Sequence, residues 1–247
     1  FEFERVLKPT GTGFIYGFSE ILAHISVNLT LPNRWLIWHY TNKNVPSCTF
    51  WQRSHESIIC FWKDDKQRIF NEDSVREPYT PGFINGAAGK TRKGTKGRFS
   101  GSGKETVYNA NVNGAMGRDV IKVPALAGGA GINERIFFCK TCNDVFIGGK
   151  SEHSEHEIIE HPTQKPMELT KILLKSAIPK SGGKVFIPFA GTGSECICCK
   201  DMGLDFISCD INEDYVKWAN LSVDKCTNTN ILKKEIEVNS FMDSFEG

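Results

Sequence analysis

The sequence predicts an α/β fold that is interrupted by a long insertion. Helix and strand patterns alternate in residues 1–70, they alternate again after residue 160, and glycine-rich sequence separates the two parts. With 247 residues, of which 40% are hydrophobic and 24% charged, the chain can bury a sizeable core. We therefore expect one large α/β domain with an insertion, and we exclude a mostly disordered chain.

The first seventy residues predict the order helix, strand, helix, strand, strand. Residues 1–8 have the pattern of the last turns of a helix, and the apolar run 14–18 has the length of a strand. Ser19 stands where it can cap a helix that ends near residue 29. Two more strand-like runs follow, at residues 34–40 and 57–63.

Composition changes near residue 71, where glycine becomes frequent and apolar periodicity is lost up to residue 131. Within this stretch, residues 90–104 are basic and include no acidic residue. The positive charges are those of Lys90, Arg92, Lys93, Lys96, Arg98 and Lys104. Such a run is either a solvated loop or an arm that follows a phosphate backbone, and its composition leaves both readings open.

The α/β pattern returns in the last third of the chain. Apolar spacing predicts a helix around residues 169–178. The elements that follow are a strand at 184–189, a helix at 194–202, a strand at 205–209 and a helix at 213–226.

A glycine turn and an acidic residue in this part favour nucleoside binding. Gly191 and Gly193 allow a sharp turn and a close approach of ligand to backbone, and Asp210 after the next strand can accept ribose hydroxyls. The turn lacks the third glycine of a dinucleotide fingerprint and the lysine of a P-loop, which disfavours NAD and ATP. S-adenosylmethionine, an adenosine without phosphates, fits this pattern; a tight turn without a ligand is the alternative.

Two motifs in a fixed order resemble those of the β-class amino DNA methyltransferases. His161-Pro-Thr-Gln-Lys-Pro166 is followed by Ile187-Pro-Phe-Ala-Gly-Thr-Gly-Ser194 and then by Asp210. Residues 5–11 and 35–61 resemble further motifs of that family. The resemblance implies a Rossmann-like methyltransferase sheet with a circularly permuted motif order and an inserted target-recognition region. It also implies S-adenosylmethionine as cofactor.

The resemblance implies a set of cofactor-binding residues, by position. Phe189 would pack on the adenine, and Asp210 would hold the ribose. The other residues would lie at the methionine part: Thr163, Lys165, Gly191, Gly193 and Ser194.

The resemblance also implies duplex DNA as the partner and methyl transfer to N6 of adenine or N4 of cytosine. The basic segment then lies in the target-recognition insertion, where Lys90, Arg92, Lys93, Lys96 and Arg98 would contact phosphates. A homodimer or a partner methyltransferase subunit remains open. The expected parts are a catalytic-side half (1–70), the insertion (71–160), a cofactor-binding half (161–226) and a C-terminal tail (227–247).

Two departures from the family pattern matter. Ile187 stands where the family usually has Asp, and the sequence has no Asp/Asn/Ser-Pro-Pro-aromatic tetrapeptide, since no Pro-Pro pair occurs. Amine methylation requires a flipped base whose amino group is held by oriented acceptors, which that tetrapeptide supplies in the family. We expect residues upstream of Phe1, or alternatively a second chain, to provide them. Catalytic residues are therefore not assigned.

Two other functions compete with the enzyme reading. A catalytically inactive, methyltransferase-like DNA-binding subunit of a heteromeric complex would also lack the tetrapeptide. An RNA methyltransferase would also carry a basic insertion.

The nine cysteines indicate a reducing compartment. Their odd number and the adjacent Cys198 and Cys199 suit buried thiols better than a disulfide framework. We expect a soluble protein of the cytoplasm, acting on DNA there, because no apolar run has the length of a membrane span and no signal-peptide pattern is present.

A further cluster of potential metal ligands lies near the end of the insertion. Cys139 and Cys142 have the spacing of half a zinc knuckle, and His153 and His156 could complete four ligands. The alternative is two free thiols beside loop histidines. The second half does not have a standard spacing, so the sequence leads us to assign no metal site.

Overall fold

A computed structural model describes residues 2–42, 49–93, 105–127, 133–149 and 153–228. The strands are β1 (Thr12–Gly17), β2 (Asn33–His39), β3 (His55–Trp62), β4 (Thr91–Lys93), β5 (Glu105–Val107), β6 (Val120–Lys122), β7 (Ile136–Cys139), β8 (Asp144–Ile147), β9 (Ile158–Glu160), β10 (Lys184–Ile187) and β11 (Asp205–Ser208). The α-helices are α1 (Glu2–Val6), α2 (Ser19–Ser26), α3 (Pro81–Gly86), α4 (Met167–Ala177), α5 (Ser194–Asp201) and α6 (Glu213–Asn228). A 3-10 helix covers Glu72–Val75.

The largest sheet has four strands in the order β1-β3-β2-β6. β3 pairs antiparallel with β1 and with β2, and β6 pairs parallel with β2. Ile58 and Ile59 on β3 are both fully buried, although neighbouring strand residues point to opposite faces. Ile58 packs with Leu169 of α4, and Ile59 packs with Leu22 of α2. The sheet is therefore covered by helices on both faces, as in an α/β protein.

The two parallel strands β10 and β11 form a separate sheet, in which Ile187 pairs with Ser208. Helix α4 bridges the two sheets: Leu169 and Leu173 join the core of the larger sheet, and Leu174 packs with Ile187. Within the described ranges, neither β1 nor β10 has a second strand partner. The predicted α/β class is confirmed, and the circularly permuted motif order stays a prediction.

A third, antiparallel sheet has the order β8-β7-β9 and packs on helix α6. Ile136 and Val145 are buried against Trp218 and Cys226 of that helix. The hairpin of β4 and β5 forms a fourth unit. Strand β9 ends immediately before His161, so the third sheet leads directly into the His-Pro motif.

Strand β6 lies inside the range that the sequence assigns to the insertion, yet it belongs to the large sheet. Val123, just after β6, is fully buried, and its carbonyl accepts a hydrogen bond of 2.9 Å from the indole N–H of Trp38. The chain therefore returns to the main core near residue 120. The division at residue 160 remains a prediction.

The expectation that Ser19 caps helix α2 is wrong. The residue before the first helical turn is Phe18, and no side chain caps this end. The hydroxyl of Ser19 instead lies 2.8 Å from that of Ser57, which is 1% exposed. A buried hydroxyl without a partner is costly, so pairing with Ser57 takes precedence over capping.

None of the helices that the structure describes combines the length and the apolar character needed to span a bilayer. The proposed DNA contacts Lys96 and Arg98, and the tail from residue 229 onward, lie outside the described residues.

Candidate functional site

The turn between β10 and α5 requires both of its glycines. Gly191 has φ +50° and Gly193 has φ +82°, in the left-handed region that side chains disfavour. A Cβ on Gly193 would lie 2.9 Å from Cα of Ala219, and one on Gly191 would lie 3.0 Å from Nε2 of His161. The sequence identifies these glycines, and the structure accounts for them by the positive φ of both and by the close backbone approach at Gly193.

The carboxylate of Asp210 is hydrogen-bonded to the same turn. The N–H of Gly191 donates to Oδ2 at 3.0 Å, and the N–H of Asn212 donates to Oδ1 at 3.1 Å. A carboxylate has about four acceptor positions, so each oxygen can accept one more hydrogen bond. Asp210 is thus held in place with acceptor capacity to spare.

Phe189 presents an apolar surface at the same edge of the sheet as this carboxylate. Its side chain is 82% exposed just after the carboxyl end of β10, and Asp210 follows the carboxyl end of the adjacent strand β11. Ligands of open α/β sheets bind outside the carboxyl ends of the parallel strands. An exposed aromatic ring and an oriented carboxylate at one edge of a sheet offer a base a stacking surface and a ribose its acceptors.

The turn also contains a buried polar atom that lacks a partner. The hydroxyl of Thr192, a residue 2% exposed, has no hydrogen-bond partner in the part of the chain that the structure describes. An unpaired buried hydroxyl costs about 1–3 kcal/mol. Together with Phe189 and Asp210, it fits a site that receives a polar nucleoside such as the adenosine of S-adenosylmethionine.

The His161 ring of the His-Pro motif packs against the glycine turn at Gly191. The N–H of Thr163 donates to Nδ1 of His161 at 3.3 Å, and the imidazole packs edge-on against Tyr215, with ring centroids 4.9 Å apart. Burial lowers the pKa of His161, Asp210 raises it, and Lys165 lowers it further, for a net downward shift. His161 is therefore mainly neutral near pH 7, with Nδ1 as an acceptor. Thr163 itself is exposed.

Lys165 links the His-Pro motif to the large sheet. Its ammonium lies 3.1 Å from Oε2 of Glu56, and both side chains are largely buried, at 14% and 17% exposure. The hydroxyl of Tyr40 donates to Oε1 of the same glutamate at 2.8 Å, and Lys165 also donates to the carbonyl of Thr163 at 3.3 Å. The ammonium has three donors, so one remains for a ligand.

Aromatic rings complete the surroundings of Lys165. Its ammonium lies 5.6 Å from the ring centroid of Tyr16 and 5.8 Å from that of Trp38, within the range of cation–π attraction. Burial and the neighbouring Glu56 raise the pKa of Tyr40 above its usual range, so Tyr40 stays a donor. The positive charge is thus fixed against the large sheet.

Ser194 is turned inward at the start of helix α5. It is 1% exposed, and its hydroxyl donates to Oε2 of Glu195 at 2.7 Å. Burial raises the pKa of Glu195, against the opposing effects of Ser194 and Lys165. Sequence reasoning missed Glu195 and Glu56. The available signals were an acid inside an otherwise apolar helix start and an acid within the buried strand β3.

Three of the five predicted DNA contacts lie in the described residues, and all three belong to the hairpin of β4 and β5 or directly precede it. Lys90 precedes β4 and is exposed, and Lys93 at its end is exposed and pairs with Glu105 of β5. Arg92 lies between them on the strand. Among the residues that the structure describes, no hydrogen bond joins this hairpin to the turn that contains Gly191 and Gly193.

Comparisons with known proteins find a matching family model, related proteins and similar solved structures. A family model described as "DNA methylase" matches residues 1–221. Type II methyltransferase M.HpaI of Haemophilus parainfluenzae is 24% identical over 226 residues, which cover 89% of this chain and 55% of that protein. DNA adenine methyltransferase YhdJ of Escherichia coli strain K12 is 25% identical over 221 residues, which cover 87% of this chain and 61% of that protein.

The chain spans little more than half the length of these relatives. Among solved structures, that of the M1.HpyAVI-SAM complex is similar with a TM-score of 0.50 and 14% identity, covering 92% of this chain and 79% of that one. This likeness confirms the fold.

Proposed function

This chain belongs to the N6/N4 DNA methylase family, and we propose that it takes part in methyl transfer from S-adenosylmethionine to the exocyclic amine of adenine or cytosine in duplex DNA. The observation that carries the proposal is that the exposed ring of Phe189 and the carboxylate of Asp210 follow the carboxyl ends of two paired parallel strands, with the carboxylate held by the Gly191 N–H at 3.0 Å. These groups complement the two halves of an adenosine. The family match supplies the reaction class.

The residues of the turn have separate tasks in this proposal. When bound, S-adenosylmethionine supplies an electrophilic methyl group on a sulfonium sulfur. Phe189 packs on the adenine, and the free acceptor positions of Asp210 receive the ribose hydroxyls. Gly191 and Gly193 let the chain of the methionine part pass close to the backbone.

The amino-acid end of the cofactor is assigned to the His-Pro side of the site. The remaining N–H of Lys165 is available to a carboxylate, and the exposed Thr163 lies two residues before it in the chain. Ser194 acts indirectly, because its hydroxyl is already bonded to Glu195. The ion pair with Glu56 orients the ammonium of Lys165.

Transfer also needs acceptors that hold the flipped base and aim the amine lone pair at the methyl group. Bound S-adenosylmethionine would supply its methyl group to the amine nitrogen with the sulfur as leaving group, and the amine proton would leave to water. The 247 residues contain no Pro-Pro tetrapeptide that would supply these acceptors. The proposal therefore assigns no residue to the base-holding acceptors, and it includes both adenine and cytosine as target bases.

Duplex DNA is the proposed partner, with phosphate contacts from Lys90, Arg92, Lys93, Lys96 and Arg98. The exposure of Lys90 and Lys93 on one hairpin supports this for the described part of the segment. The free cysteines found in the described residues are consistent with action on DNA in a reducing cytoplasm. Light scattering of the native protein would separate a monomer from a homodimer or an assembly with a partner methyltransferase subunit.

The proposal is tested by incubating the protein with S-adenosylmethionine tritiated in the methyl group and, in separate reactions, mixed-sequence duplex DNA or single-stranded RNA. We expect label in the DNA, and nucleoside digestion identifies N6-methyladenine or N4-methylcytosine. Label in single-stranded RNA but not in DNA would support an RNA methyltransferase instead. Cofactor and DNA binding without transfer would support a catalytically inactive DNA-binding subunit. Absence of cofactor binding would contradict the site itself.

A further inference from the structure

Four potential metal ligands converge at the end of the third sheet, away from the glycine turn. Cys139 and Cys142 lie at the turn between β7 and β8, and His153 and His156 lie on the segment before β9. One ligand atom from each residue lies within 4.8 Å of all the others. Cys139 is buried, Cys142 is exposed, and the histidines are half-buried.

The distances between these atoms match the edges of a zinc tetrahedron. Nδ1 of His156 lies 3.4 Å from Sγ of Cys139 and 3.3 Å from Sγ of Cys142. Nδ1 of His153 lies 3.8 Å from Sγ of Cys142 and 3.2 Å from Nδ1 of His156. A tetrahedron with Zn–S bonds of about 2.3 Å and Zn–N bonds of about 2.0–2.1 Å separates sulfur from nitrogen by about 3.5 Å and nitrogen from nitrogen by about 3.3 Å.

The local backbone holds the ligands in this arrangement. The N–H of Cys142 donates to Sγ of Cys139 at 3.3 Å, which orients a thiolate at the turn. Asn143 after it has φ +53°, the left-handed conformation that turns the hairpin. The N–H of His156 donates to the carbonyl of His153 at 3.0 Å, so a tight turn brings both imidazoles to one side.

Neighbouring side chains fix the orientation of the site. The imidazole of His153 stacks on Phe146 of β8, with ring centroids 4.2 Å apart. On the other side of the cluster, the backbone N–H of Lys140 donates to the carbonyl of Glu157 at 2.9 Å, and their side chains form an ion pair. The two segments that carry the ligands are thus joined independently of the ligands themselves. Supporting contacts of this kind are typical of metal sites.

We propose that Cys139, Cys142, His153 and His156 bind one structural Zn²⁺. Two thiolates and two imidazoles in tetrahedral arrangement are the donor set of structural zinc, and four protein ligands leave no open position for a reacting group. Binding converts two thiols and two neutral imidazoles into the complex with release of two protons, without any change of oxidation state. The zinc ion at this site therefore has a structural role and not a catalytic one.

The zinc site connects to the cofactor turn through the chain. His156 is followed by β9 and then by His161, whose ring covers Gly191. The metal thus fastens the turn of β7 and β8 to the segment that leads into the His-Pro motif. Loss of zinc should loosen this segment, and a lower melting temperature after chelation would report it.

The test is the metal content of untagged protein that is purified without chelators. We expect about one zinc per chain. Cys142→Ser should reduce zinc to background, Cys142→His should retain it because imidazole is also a zinc ligand, and Cys209→Ser should leave it unchanged, since this exposed cysteine lies outside the cluster.

Cobalt substitution gives a second readout that does not depend on the zinc supply during expression. Apo-protein titrated with Co²⁺ should develop the intense visible d–d bands of tetrahedral cobalt bound to thiolate, and Cys142→Ser should abolish them. Circular dichroism shows that the variants are folded. Wild-type protein that retains no zinc and gives no tetrahedral cobalt spectrum would overturn the proposal, as would equal zinc content in wild type and Cys142→Ser.

Discussion

Gly191 donates its backbone N–H to the carboxylate of Asp210 over 3.0 Å, so the turn after β10 is tied to the acid after β11. The two strands are parallel neighbours whose last pair is Ile187 and Ser208, and beyond it the backbone N–H of Ala190 donates to the carbonyl of Cys209 at 3.0 Å. Asp210 therefore does two things at once: it orders the turn, and it keeps acceptor positions open at the edge of the sheet.

Asp210→Ala should weaken binding of S-adenosylmethionine by about 10–100-fold, since hydrogen bonds to a charged group contribute about 1.5–3 kcal/mol. Isothermal titration calorimetry measures the change. Asp214→Ala is the matched control, because Asp214 is an exposed acid nearby on α6. Equal affinities of the Asp210→Ala variant and wild type would remove Asp210 from the site.

Gly193→Ala should destabilise the protein more than Gly182→Ala. Both glycines have positive φ, +82° and +90°, so both substitutions carry the backbone strain of about 1–2 kcal/mol. Only at Gly193 does the new Cβ meet backbone, 2.9 Å from Cα of Ala219; at Gly182 nothing lies within 4 Å. Urea unfolding of both variants measures the difference, and equal losses would show that the turn and α6 are not in close contact.

Lys165→Met should lower the free energy of unfolding by about 3–5 kcal/mol, because it leaves Glu56 largely buried without its cation. The double variant Lys165→Met with Glu56→Gln should recover part of this loss. A double-mutant cycle in denaturant, without cofactor, gives the coupling energy. Additive losses would mean that the two residues do not interact.

His161 should make stability depend on pH. Its pKa is lowered in the folded protein, chiefly by burial, so below pH 6.5 the unfolded chain binds more protons than the folded one. Its contribution is fully present above the unfolded value and is lost as the pH falls from there through the folded pKa. His161→Gln should flatten the stability curve in that window, as urea unfolding at several pH values would measure, and a curve equal to that of wild type would contradict it.

Neutralising Lys90, Arg92 and Lys93 together should reduce the salt dependence of DNA binding. Each lost phosphate contact lowers the slope of log K against log salt by about one unit. Fluorescence anisotropy over a range of salt concentrations measures the slope. A triple variant of Lys8, Lys63 and Lys66, which lie near the start of β1 or at the end of β3, is the control for net charge, and an unchanged slope in the first variant would show that the segment does not contact phosphates.

The elements could be predicted where local pattern determines them. Apolar runs of strand length predicted β1 and β10, and the glycine spacing predicted the turn at Gly191 and Gly193, whose φ values require glycine. Prediction from the local pattern failed where a partner that is distant in sequence determines the conformation. The hydroxyl of Ser19 pairs with Ser57 instead of capping α2, because the buried Ser57 needs a partner.

Contacts between distant parts of the chain could not be predicted. Glu56 and Lys165 form their ion pair from a strand and a loop that are far apart in sequence, and neither residue has a local signature for it. Strand β6 has three residues within glycine-rich sequence, and only its pairing with β2 shows that it belongs to the main sheet. Likewise, sequence spacing left the convergence of Cys142 and His156 undecided, because the turns that bring them together are set by the fold.

The most direct test of the account is a crystal structure of the protein with S-adenosylmethionine bound. The account predicts the adenine against the ring of Phe189 and the ribose hydroxyls within hydrogen-bond distance of Asp210, whose bond to Gly191 persists. A cofactor bound elsewhere on the molecule, or a ribose without contact to Asp210, would contradict it.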